Sequence, residues 1–216
     1  MKQLLLIIAF LVPFDLLAQD HLLPEQGIFG EAYWDTEYQL RVQSVLWRQA
    51  PPNGYRLIVF ALPSFLPEWQ VSVVQDSLDH LRLFASKADT NIWDALSDSV
   101  DLERLGVHTY NVAFSPTLFR AIDSVFNHAL VQTHYPQSDG FFFEGPDGDT
   151  YHFTALTRVG MMMSGTCWSP GRRSSTRCLV TIAEALFSFA TQDPSSYDES
   201  LRIIRTEMSK YWKLTR

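Results

Sequence analysis

Between Tyr55 and Ala85 three strand-length segments follow one another across short joins, and that succession leaves the chain few ways to fold. YRLIVFALP (55–63) is a nearly continuous apolar run. EWQVSVVQ (68–75) alternates with Trp69, Val71 and Val73 on one face, and HLRLFA (80–85) alternates with Leu81, Leu83 and Ala85. A period of two in β-branched and aromatic residues predicts strands, and the short joins predict an antiparallel meander. Elsewhere the period lengthens to that of a helix. Trp34, Tyr38, Val42, Val45 and Leu46 predict a helix over 31–49 that stops before Pro51-Pro52-Asn53-Gly54. Ser115-Pro116 supplies a capping hydroxyl and a residue with no NH to satisfy, ahead of Leu118, Ala121, Ile122, Val125 and Ala129. Two further amphipathic patterns run from Cys178 to Ala190 and from Leu201 to Trp212, the last followed by Lys213 and Arg216. Residues 86–105 show no clear period, and VHTYNVAF (107–114) reads as a short strand or an extended lead-in. Strands first and helices later, without strict alternation, predict an α+β fold: an antiparallel sheet packed by two or three amphipathic helices.

The N-terminus reads MKQLLLIIAFLVPFDLLAQD: a cation at Lys2, an apolar run from Leu4 to Val12, then Ala18 before polar sequence. This is the pattern of a secretory leader cleaved after Ala18, and the run is short of the roughly 18 residues a membrane span needs. The expected organisation is a leader over 1–18, an α+β domain over 19–192 and a packed C-terminal helix over 193–216. A periplasmic or extracellular destination follows, with no stable membrane span after cleavage. The formal net charge of −7 repels phosphate backbones and excludes nucleic acid as an expected partner. Only Cys167 and Cys178 occur, and export to an oxidising compartment predicts that they pair, a bridge worth roughly 2 to 3 kcal/mol. The rival reading makes Cys167 a nucleophile, which requires a lowered pKa and a nearby histidine.

Gly140-Phe141-Phe142-Phe143-Glu144 and Thr150-Tyr151-His152-Phe153-Thr154 flank Pro146-Asp147-Gly148, the parts of a hairpin turn. The predicted hairpin over 140–154 sets Glu144 opposite Thr150, Phe143 opposite Tyr151, Phe142 opposite His152 and Phe141 opposite Phe153. Phe141, Phe143, Tyr151 and Phe153 then form a core face. Glu144 and His152 meet diagonally on the other face, as a base and its orienting carboxylate or as a plain surface pair. Asp147 and Asp149 lie in a loop too short for a calcium site.

The series Asp139-Gly140, three phenylalanines, Glu144, Gly145, Gly148 and Tyr151-His152, then Trp168-Ser169-Pro170 ahead of an apolar helix, is similar to a pattern in bacterial domains of unknown function, many exported or envelope-associated. The likeness is closest over 139–186, looser over 55–190, and does not include the cysteines. It implies an envelope setting and carries no activity.

CWSPGRRSSTRC (167–178) is the most site-like segment. A helix start at Ser174 with Arg172, Arg173 and Arg177 beside it offers NH groups and guanidinium forks to an anion; the plain alternative is a solvated loop. No zinc-ligand spacing, phosphate loop, nucleophile elbow or dinucleotide fingerprint occurs, so no metal and no cofactor is expected. Met161-Met162-Met163 is expected to fill core or lie under the following loop. The expected function is an exported non-catalytic module that binds a protein or envelope component. The alternatives are a hydrolase using His152 with Glu144, or Cys167, and an anion-binding domain centred on Arg172, Arg173 and Ser174.

Overall fold

The structure, a computed structural model, describes residues 21–25, 36–51, 53–134, 148–192 and 196–216. The fold is α+β. Seven strands form one antiparallel sheet: β1 (Leu23–Glu25), β2 (Tyr55–Pro63), β3 (Trp69–Gln75), β4 (Leu81–Ala88), β5 (Val107–Ala113), β6 (Asp149–Leu156) and β7 (Met162–Trp168). Their spatial order is β1-β7-β6-β2-β3-β4-β5. The helices are α1 (Thr36–Leu46), α2 (Ile92–Ser97), α3 (Pro116–Val131), α4 (Ser175–Thr191) and α5 (Tyr197–Leu214).

The predicted meander is β2-β3-β4, extended by β5, with Val59 opposite Val71 and Val71 opposite Ala85. Because side chains alternate across a strand, β2 feeds two cores. Leu57, Val59 and Ala61 join Tyr151 and Phe153 of β6 and the inner faces of α3 and α4. Ile58, Phe60 and Leu62 point the other way, against Val42, Val45 and Leu46 of α1 and Ile92 of α2. A strand buried on both faces needs no polar alternation, which is why 55–63 reads as a continuous apolar run.

α3 starts where the hydroxyl of Ser115 accepts from the Leu118 NH at 3.4 Å, with Pro116 in its first turn. Its buried stripe of Phe119, Ile122, Val125, Phe126, Ala129 and Leu130 lies on the sheet. α4 is capped in the same way by Ser174, and α5 packs along it, burying Ile204 and Tyr211. Burying each of these apolar side chains is worth about 1.5–3 kcal/mol.

The 140–154 hairpin is corrected. Its first arm, with Phe141, Phe142, Phe143, Glu144 and the Pro146-Asp147 turn, lies outside the described residues. Its second arm is β6, and both edges of β6 are already occupied. Thr150, Tyr151, His152 and Phe153 face Leu62, Ala61, Phe60 and Val59 on one side, and Trp168, Cys167, Thr166 and Gly165 on the other. The residues predicted to face 141–144 are therefore paired elsewhere. Tyr151 and Phe153 do lie in the core, as expected. Gly148 serves close approach, since a Cβ there would lie 2.3 Å from Trp168 Nε1.

The hairpin partner of β6 is β7, reached through a turn in which Gly160 has φ +78° and Thr157 Oγ1 accepts from the Met161 NH at 3.1 Å. Met161 and Met162 are exposed, contrary to the expectation that they fill core or lie under the following loop, and of the three Met163 packs against the core.

Candidate functional site

His152 and Thr154 face away from the α3–α4 core, yet both are buried. Among the described residues the carboxylate that meets His152 is Glu25 of β1; Glu144, the partner expected from the sequence, lies outside them. Glu25 Oε1 lies 2.7 Å from Nδ1, and the two side chains are only 3% and 5% exposed. β7 brings them together: Glu25 lies opposite Ser164, and Thr166 opposite His152. Hydroxyls complete the layer, with Thr154 Oγ1 2.9 Å from Ser164 Oγ and Thr166 Oγ1 donating to the Tyr151 carbonyl at 3.1 Å. A carboxylate on Nδ1 orients an imidazole as a base requires, but a base must also reach a substrate proton. Here Nε2 is itself buried, so the pair acts inside the fold. Nothing local in the sequence marks Glu25, which is 127 residues from His152.

Cys167 and Cys178 are both free thiols and both fully buried, so the expected disulfide is corrected. The sulfurs meet different neighbours. Cys178 points toward α5, where burial first and the Glu207 carboxylate second push its thiol up to about 12, and its Sγ donates to the Ser174 carbonyl at 3.7 Å. Cys167 lies within β7, and burial raises its thiol far more than nearby Arg177 lowers it. A thiol so held is a poor nucleophile.

In the 168–177 loop the three arginines separate. Arg177 turns toward Glu184, Nη2 to Oε2 3.3 Å, and Tyr151 OH donates to the same carboxylate at 3.4 Å. Burial still raises the Glu184 carboxyl, although Arg177 and the Tyr151 bond pull it back. Ser174 Oγ accepts from the Arg177 NH at 3.0 Å and donates within hydrogen-bond reach of the Gly171 carbonyl at 2.7 Å. The helix start is thus closed by its own chain. Arg172 and Arg173 remain exposed, with no ion pair among the described residues.

A surface that sequence periodicity misses lies at the join between β2 and β3. Phe65, Leu66 and Trp93 are 77%, 65% and 50% exposed. They share one frame. Asn91 donates to the Leu66 carbonyl at 3.0 Å and caps α2 by accepting from the Asp94 NH at 3.1 Å. The fully buried carboxylate of Glu68 accepts from Tyr38 OH at 2.6 Å and from the NH groups of Ile92 and Trp93 at 2.7 and 3.3 Å. Tyr38 then lies edge-on to the Trp93 indole, ring centres 5.3 Å apart. Large apolar side chains held outward on a hydrogen-bonded frame are a docking geometry. The β2–β3 join carries Phe65-Leu66 where a turn needs neither, and that is the signal the sequence offers.

Among the described residues no group of three His, Cys, Asp or Glu could hold a metal, and no helix is long and apolar enough to cross a membrane. The chain matches no protein-family model, no curated protein and no solved structure.

Proposed function

We propose that the chain is an exported, non-catalytic module that binds a protein or envelope component through the ledge of Phe65, Leu66 and Trp93. The observation that carries this reading is their joint exposure on the frame of Glu68 and Asn91. The burial of His152 and Cys167 supports it, because these two catalytic candidates lack an open approach. The leader-like N-terminus supports export.

The test places a photo-crosslinking residue at position 65 or 93 in cells producing the full chain. One discrete adduct at both positions, lost on Leu66→Asp and missing with the crosslinker at exposed Val159, is the expected result. The same adducts at all three positions, or none at 65 and 93, end the reading. Exposed Arg172 and Arg173, with no ion pair among the described residues, favour anion binding as a second reading. Its test is whether a sulfate-induced rise in melting temperature vanishes in the Arg172→Ala/Arg173→Ala variant.

A further inference from the structure

Where β3, β4 and β5 end beyond α1, the sheet face opens into a pocket of about 240 Å3. Phe84 and Val74 line it on the sheet, and Pro51 and Asn53 line its wall. That wall is fixed from two sides. Tyr55 OH donates to the Pro51 carbonyl at 2.6 Å, and the Gly54 carbonyl accepts from the Gln75 NH at 2.8 Å. Gly54 is required there: φ is +85°, and a Cβ would lie 2.2 Å from the Gln75 carbonyl oxygen.

Arg82 stands at the rim with its guanidinium already oriented. Nε donates to Asn111 Oδ1 at 2.6 Å and Nη2 to the Asn111 carbonyl at 3.1 Å. Both acceptors are neutral, and no carboxylate pairs with Arg82 among the described residues. In a chain of formal net charge −7, this is a cation aimed and, among the described residues, left unneutralised. The nearest lining acid, Asp76, is committed: its Oδ1 accepts from the NH groups of Leu78 and His80 at 2.8 and 2.9 Å, and Oδ2 lies 3.4 Å from His80 Nδ1. Gln75 is committed too, to Arg56 and Asp79.

The groups without a partner among the described residues are Arg82 Nη1 and the second NH of Nη2, the Asn111 NH2, the Asn53 amide and the Ser77 hydroxyl. They are overwhelmingly donors. A donor set around a guanidinium fork selects a planar acceptor with two oxygens. An apolar lining selects a ligand with an apolar body, and the volume is below the roughly 300–1,000 Å3 of sites for drug-sized molecules.

We propose that this pocket binds a small organic carboxylate, its oxygens on the free edge of Arg82 with Asn111 and Asn53 in support and its apolar body on Phe84 and Val74. The site is separate from the ledge of Phe65 and Trp93, so either can fail alone. The probe is benzoate, titrated into the 15N-labelled full chain. Benzyl alcohol supplies the apolar body without the charge, and inorganic phosphate the charge without the body.

Benzoate is expected to move the amide signals of Asn53, Ser77, Arg82 and Asn111 saturably. Arg82→Gln should weaken it about tenfold or more, with Arg82→Lys between the two, since a charged hydrogen-bonded partner is lost. Asn53→Ala, in the wall rather than a strand, should weaken benzoate without moving the strand signals. The proposal is overturned by equal binding of benzyl alcohol, by equal binding of phosphate, by an unchanged benzoate affinity in a folded Arg82→Gln chain, or by benzoate shifts that bypass this pocket.

Discussion

Removing one member of the Glu25–His152 pair is expected to cost more than removing both would suggest. The side chains are 3% and 5% exposed and 2.7 Å apart. Among the described residues Glu25 Oε2 has no hydrogen-bond partner and the imidazole is the carboxylate's compensation. His152→Ala therefore strands a buried carboxylate and should cost about 4 kcal/mol, within the roughly 3–5 kcal/mol of broken buried pairs. Glu25→Ala takes the partner from Nδ1 of a buried ring that is not itself a fixed charge, and should cost less, about 3 kcal/mol. In the double variant neither group is left behind. Its loss should fall short of the sum by about 2 kcal/mol or more, a coupling well above the roughly 0.5 kcal/mol scatter of independent sites. Urea unfolding at pH 7, followed by tryptophan fluorescence and circular dichroism, measures all four corners of the cycle. Coincident probes and unchanged m-values establish that the same transition is compared. Additive losses within that scatter would refute the claim that the pair works as one unit inside the fold.

Three more outcomes follow from the geometry. The native protein should not react with a disulfide reagent at pH 8, while the unfolded protein without reductant should show two thiols, because Cys167 and Cys178 are buried and free; reactivity before unfolding, or no thiols after it, contradicts the described surroundings. Cys178 and Tyr55 are each pushed up to about 12, above their unfolded values, so the native state holds these protons more tightly. Their contribution is complete below about pH 9 and is lost as pH rises toward 12, so the urea midpoint should fall across that window and fall less in Cys178→Ser. Glu68→Ala leaves three donors facing a void and should lower stability by about 3 kcal/mol, or about 6–12 °C in melting temperature for a domain of this size; a drop under about 3 °C speaks against the frame.

Local regularity made part of this architecture readable. The β2-β3-β4 meander and helices α3, α4 and α5 have strong periods within one element, and Ser115-Pro116 marks its helix start chemically. α2 is six residues long, under two turns, so no amphipathic period can build up. β6 was visible as a strand, but its partners were not. Pro146 and Gly148 suggest a turn with the preceding aromatic run, whereas the deciding contacts come from β2 and from β7, whose MMSGTCW has little alternation. Glu25 escaped for the same reason: β1 is three residues long and its ladder partner is β7. The cysteine spacing permits a bridge, but Cys178 turns toward Glu207 while Cys167 lies within the sheet, and spacing says nothing about direction.

The ladder between β2 and β6 also sets a timetable. β2 is the most apolar strand, and the partner for its second edge is synthesised roughly ninety residues later. At about 5–20 residues per second that edge waits about 5–20 s for its complement. During the wait the meander from β2 to β5 can close by local pairing, leaving Leu57 to Leu62 bordered by open backbone donors and acceptors, a template for any other extended chain. The nascent protein is therefore most prone to intermolecular association before residues 149–156 arrive, and a holding chaperone would matter in that interval more than at any later one.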